Sequence, residues 1–148
     1  MRLIGSPDPG NPTSVTQQQL DLWASEGQVE LLGFRKDIAA QYAAGNIVCL
    51  PSYREGLPKS LVEAAACGRA VVTTDVPGCR DAITLGVTGL LVPVKDAVAL
   101  ADAIQTLIKD PELRNGMGQA GRALAEEAFA IEKIVDQHMD IYRDLIQP

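Results

Sequence analysis

The sequence predicts an α/β protein, a Rossmann-like parallel sheet with helices on both faces and a helical C-terminal cap. Three observations carry that expectation. Short runs rich in Val, Ile or Leu, bounded by Gly, Pro or Asp, alternate with segments of helical length. Several of the runs are apolar on consecutive residues instead of alternating, as in a parallel sheet covered on both faces. Beyond Val94 only helical patterns remain.

The strand candidates are Arg2–Gly5, Val29–Gly33, Ile47–Leu50, Ala70–Thr74 and Gly89–Val92. Between them, Ser14 or Thr16 caps a helix running to Gly27, Asp37 caps a short helix ending at Gly45, and Pro58–Cys67 stops at Gly68. The segment Asp96–Lys109 places Val98, Leu100, Ala101, Ile104, Leu107 and Ile108 on one broad face. Pro111 opens a helix reaching about Phe129, and Ile131–Ile146 supplies another. No repeat, low-complexity tract or interdomain linker interrupts the pattern, so one domain is expected.

With 148 residues, 47% hydrophobic and 22% charged, the chain is long and apolar enough to bury a core. Its formal charge is −6 and no Lys/Arg cluster breaks that acidity. The charge therefore argues against nucleic acid or an anionic membrane surface as a direct partner of this chain, since both require a concentrated basic face. An anionic small ligand is not excluded, because local backbone dipoles act at short range. Cys49, Cys67 and Cys79 are odd in number and widely spaced, and His138 is the single histidine, so no metal site is expected. Cys49 and Cys67 read as small buried hydrophobes, and the compartment as the reducing cytoplasm.

The stretch REGLPKSLVEAAACGRA, residues 54–70, holds the candidate site. In parallel α/β sheets, ligands bind beyond the carboxyl ends of the strands, where loops lead into helix N-termini. Pro58 suits the first helical position, which leaves the amides of Lys59, Ser60 and Leu61 pointing outward at the positive end of the helix dipole. That is a phosphate site. Glu63, a turn further on, offers a carboxylate to the two hydroxyls of a ribose, and Glu55 can reach a group beyond the phosphates. The competing reading is plainer. Lys59 and Glu63 are spaced i,i+4 and could form a surface ion pair of about 0.3–0.5 kcal/mol, with Glu55 an ordinary loop residue. Arg54 adjoins Glu55, as a phosphate contact or a solvated loop arginine, while Asp75 and Arg80 occupy another strand-end loop facing the same side, as loop-fixing residues or direct ligand contacts. Trp23 and Tyr142 read as packing residues and His138 as a surface residue.

The block E-GLPKSLV-E, two glutamates flanking seven residues, resembles the signature of the retaining glycosyltransferases of family 4, which have the GT-B fold. The likeness extends through PSYREGLPKSLVEAAACGRAVVTTDVPGCRDAI and GVTGLLVPVKDAVALADAIQTLIKDPELRNGMGQAGRALAEEAF, and upstream to RLIGSPDPGN and VELLGFRKDI. It covers nearly the whole chain, which would then be the nucleotide-sugar-binding C-terminal half of a GT-B enzyme. The resemblance implies that Glu63 holds ribose hydroxyls and that Glu55 bonds the donor sugar and helps orient the transition state. It implies that the backbone of Gly56, Leu57, Lys59 and Ser60 meets sugar and diphosphate, and that Gly33, Phe34 and Arg35 receive the nucleobase. It further implies a UDP-sugar donor, transfer with retention, no metal or other cofactor, and a role in bacterial surface polysaccharide synthesis.

Two departures accompany the resemblance. Many relatives have Gly where this chain has Pro58. The family's diphosphate-clamping Arg and Lys, its first strand–helix unit and its N-terminal acceptor domain would all precede Met1. The chain alone is thus expected to be inactive, with its parent cytoplasmic or peripheral to the inner membrane. The absent strand would lie between the first and third strands present here, so either those two pair directly or a partner chain, including a second copy, fills the gap. The alternatives are a sugar-nucleotide epimerase, a phosphorylase-type GT-B enzyme, or a stand-alone nucleotide-sugar-binding module.

Overall fold

Strand β1 (Arg2–Ile4) pairs in parallel with β2 (Glu30–Gly33) in the computed structural model, which describes residues 1–12 and 14–146. Contacts divide the chain into two compact units, Met1–Ile38 and Ala39–Pro148. In the first, the β1–β2 crossover contains α1 (Gln17–Ser25), whose N-cap is Thr16, its side chain accepting from the Gln19 amide at 3.2 Å. Leu20 is the residue that α1 buries, and Arg2 and Glu30, opposite each other in the ladder, form an exposed ion pair at 3.1 Å.

The second unit holds β3 (Ile47–Leu50), β4 (Ala70–Thr74) and β5 (Gly89–Val92) as a parallel sheet in the order β3-β4-β5. Helix α2 (Ile38–Ala44) begins at the boundary, and α3 (Lys59–Ala66), α4 (Pro77–Ala82), α5 (Ala97–Lys109), α6 (Pro111–Ala128) and α7 (Ile131–Ile146) follow. Every residue of β4 is buried, as its unbroken AVVTT run requires of a central strand. Ala70 and Val72 meet Val92, Leu107 and Met117 in the main core, with Leu100, Ile104 and Leu113 packed around them. On the alternate face, Thr73 donates to the Leu50 carbonyl at 2.7 Å and lies 3.2 Å from Cys79 Sγ on α4. Helix α6 packs closely against the turn that follows α3, because a Cβ on Gly118 would stand 2.3 Å from the Gly68 carbonyl oxygen. Arg122 of α6 ties it to α3 by donating to the Ala66 carbonyl. Helix α7 buries none of its residues, and its apolar stripe, including Ile131, Val135, Met139 and Tyr142, is exposed.

These observations make the chain Rossmann-like, with parallel sheets, crossover helices and a helical C-terminal segment. Several expectations need correcting. The segment read as a loop after β4 contains α4, six residues with Pro77 at its start, which the Gly and Pro in PGCRDA concealed. Cys49 is exposed and Cys67 half-buried, leaving only Cys79 fully buried. Strand β3 lies at the edge of its sheet, and Cys49 there stays exposed. Strands β1 and β3 belong to different sheets.

Candidate functional site

Residues 51–57 connect the end of β3 to α3 and carry Glu55. Proline is the N-cap of α3, not its first helical residue: Pro58 has φ −71° and ψ 111°, and the helix starts at Lys59. The shift changes which amides are available. Leu61, expected to point outward, donates to the Pro58 carbonyl at 3.0 Å. The Lys59 and Ser60 amides have no side-chain cap, since proline cannot supply one. With the partial positive charge of the helix end, these two remain as anion donors.

Glu55 is half-buried, and its Oε1 accepts a 2.6 Å hydrogen bond from the Ser52 hydroxyl. The carbonyl of Ser52 in turn accepts from the hydroxyl of Thr74, the last residue of β4. The loop is also pressed against α4. A Cβ on Gly78 would come within 1.9 Å of the Gly56 carbonyl oxygen and 2.6 Å of that of Glu55, so only glycine admits this approach. Leu57 and Lys59 are exposed and Ser60 is half-buried.

Glu63 lies in the second turn of α3, where it faces Tyr42 of α2. Burial pushes the Tyr42 phenol up to about 12, reinforced by the charge of Glu63, the Cys67 side chain and a hydrogen bond to Glu63. Lys59 and Glu63 form no ion pair; the salt bridges of this unit lie elsewhere. The plain reading of Glu63 as a surface-paired residue therefore fails.

At the end of β4, Arg80 engages the Asp75 carboxylate and, at 3.4 Å, its carbonyl, holding Asp75 below the usual carboxylate range through that hydrogen bond and charge. A cleft at the strand ends is lined by Pro51, Tyr53, Thr74, Val92, Pro93 and Lys95. The Lys95 ammonium sits 5.6 Å from the centroid of the Tyr53 ring, on a backbone with φ 62°. Among the described residues, no three His, Cys, Asp or Glu side chains gather as metal ligands, and no helix is long and apolar enough to cross a membrane.

The second unit thus brings together Glu55, Gly56, Leu57, Lys59, Ser60 and Glu63 around one loop and helix end. The remaining candidates belong to the first unit. Gly33 ends β2, its carbonyl accepting from Gly5 at 2.9 Å; Phe34 is 76% exposed; and Arg35 is held in two hydrogen bonds by Asp37, at 2.8 and 2.7 Å. Two partners of the glutamates escaped sequence reading. Tyr42 carried no signal in the short helix IAAQYAA. Ser52 did, as a hydroxyl three residues before a carboxylate in a loop.

Comparison with known proteins agrees with this architecture. Residues 1–110 match the family model described as glycosyl transferases group 1. The chain is 33% identical over 147 residues to an N,N'-diacetylbacillosaminyl-diphospho-undecaprenol alpha-1,3-N-acetylgalactosaminyltransferase of Campylobacter jejuni, covering 98% of this chain and 37% of that protein. It is 30% identical over 145 residues to the capsular polysaccharide biosynthesis glycosyltransferase CapM of Staphylococcus aureus, covering 98% of this chain and 38% of that protein. Among solved structures, the Anabaena protein HepE in complex with UDP superposes with a TM-score of 0.88 at 29% identity, over 97% of this chain and 40% of that one. Fold and likeness together define the class as one Rossmann-like half of a GT-B glycosyltransferase. The chain belongs to the group 1 glycosyltransferase family, and it spans less than two-fifths of the length of the two curated relatives named.

Proposed function

We propose that this chain is the donor-binding half of a retaining glycosyltransferase and that its ligand is a nucleoside-diphosphate sugar, with a UDP-sugar favoured. One observation carries the reading: two carboxylates, Glu55 held by the Ser52 hydroxyl and Glu63 beside the Tyr42 phenol, lie about a helix end whose first two amides are uncapped. In this reading the diphosphate sits on the Lys59 and Ser60 amides, which stabilise charge on the leaving group as an oxocarbenium-like centre develops. Glu63 takes the ribose hydroxyls, and Glu55 takes hydroxyls of the donor sugar, with the backbone of Gly56 and Leu57 alongside. The HepE structures with UDP and with UDP-glucose support a uridine donor. The two named relatives, whose names refer to an undecaprenol-linked sugar and to capsular polysaccharide, support a role in bacterial surface polysaccharide synthesis. No metal or other cofactor enters this scheme, and turnover requires the acceptor half of the parent.

Calorimetric titration with UDP and a panel of UDP- and GDP-sugars, repeated with Glu63→Ala, tests the proposal. Binding that disappears in the variant is expected. Binding that survives the substitution unchanged removes Glu63 from the ribose, and no binding of any nucleotide by the wild-type chain defeats the donor reading.

A further inference from the structure

Glu55 is useful to a sugar only if its carboxylate is held at a fixed orientation, and its surroundings provide that restraint from three directions. Its Oε1 accepts from Ser52 at 2.6 Å, the short distance expected of a hydroxyl donating to a carboxylate. Ser52 does not swing with the loop, because its own carbonyl is held by the hydroxyl of Thr74, which is 3% exposed at the end of the central strand. The backbone on the far side of Glu55 is seated against Gly78 of α4. Elsewhere in the loop, the side chains of Tyr53 and Leu57 are 67% and 51% exposed.

We propose that Ser52 is a positioning residue for Glu55, occupying one carboxylate oxygen and leaving the other for a hydroxyl of the donor sugar. The inference rests on the donor reading above and deepens it. Thr74, Ser52 and Glu55 form a relay from the rigid sheet to the sugar. Each member transmits orientation without itself touching the nucleotide, so the effect of Ser52 falls on the sugar and spares the UDP moiety. A serine that merely knits the loop together would affect both parts of the donor alike, because the same loop leads into the phosphate-binding helix end.

The test is calorimetric titration of the wild-type chain, Ser52→Ala and Ser52→Thr with UDP, UDP-glucose, UDP-N-acetylglucosamine and UDP-N-acetylgalactosamine. Thermal unfolding confirms that each variant is folded. The expected result for Ser52→Ala is UDP affinity within about twofold of wild type and a roughly tenfold loss of the preference for the best UDP-sugar over UDP. Ser52→Thr, which keeps the hydroxyl, restores that preference. Equal weakening of UDP and UDP-sugar in Ser52→Ala, or a preference left intact, overturns the role of Ser52. If binding in that case remains sensitive to Glu63→Ala, the donor reading stands without it. A wild-type chain that binds UDP and its sugars equally removes Glu55 from the sugar, and Ser52 with it; one that binds neither defeats both proposals.

Discussion

The buried phenol of Tyr42 on α2 lies beside the carboxylate of Glu63 on α3, whose charge helps to raise its pKa, and Tyr42 is 8% exposed. A glutamate in the apolar run LVEAAAC is thus held from within the protein, while half-burial leaves it reachable from outside. This resolves what an acidic residue is doing in that run: α2 supplies the polar partner that its own helix lacks.

The pairing has a pH signature. The phenol titrates near 12 in the fold against 10.0 in an unfolded chain. Its contribution is therefore complete below pH 10 and is lost as pH rises towards 12, a loss on the order of 2–3 kcal/mol. Tyr42→Phe, which has no phenol to titrate, should lose less stability than the wild type between pH 10 and 12. Urea unfolding across that range decides the matter; parallel curves for the two proteins would show that Tyr42 is not the titrating group.

Gly78→Ala places a methyl 1.9 Å from a backbone oxygen that cannot rotate away. Either α4 or the 51–57 loop must move, at a cost of about 1–3 kcal/mol. Because the displaced backbone is that of Glu55 and Gly56, preference for UDP-sugar over UDP should fall together with the unfolding midpoint. An alanine variant with wild-type stability would contradict the close approach.

Asp110 ends α5 and caps α6, its carboxylate accepting from the Leu113 amide at 2.9 Å. Asp110→Ala should cost about 1 kcal/mol, while Asp110→Asn and Asp110→Ser should cost much less. The site lies on other elements, so nucleotide binding should not change. Chemical denaturation of the three variants measures the first effect and calorimetry the second.

Much of the fold was legible in the residues because its signals are local. The consecutive apolar residues of AVVTT and IVCL marked β4 and β3, and Thr16, Asp96 and Pro111 marked helix starts, because capping and burial act within a few residues. The same locality misled where one residue could serve two positions. Pro58 fits N1 and N-cap alike by its φ, and only the helix geometry selected N-cap, which withdrew the Leu61 amide from the site. Cys49 looked buried because its neighbours are apolar, yet it lies on an edge strand.

The sequence by itself determined the α/β class, the order of the five strands and of every helix but α4, and the placing of Glu55 and Glu63 around a helix end. These follow from periodicity, capping and spacing along one segment. The tertiary structure alone decided what holds each carboxylate. Tyr42 meets Glu63 across two helices, Thr74 reaches Ser52 from a neighbouring strand, and Gly78 admits the loop from a helix 22 residues downstream of Gly56. Such contacts depend on which elements the parallel sheet sets side by side, and no short-range pattern in the chain encodes that.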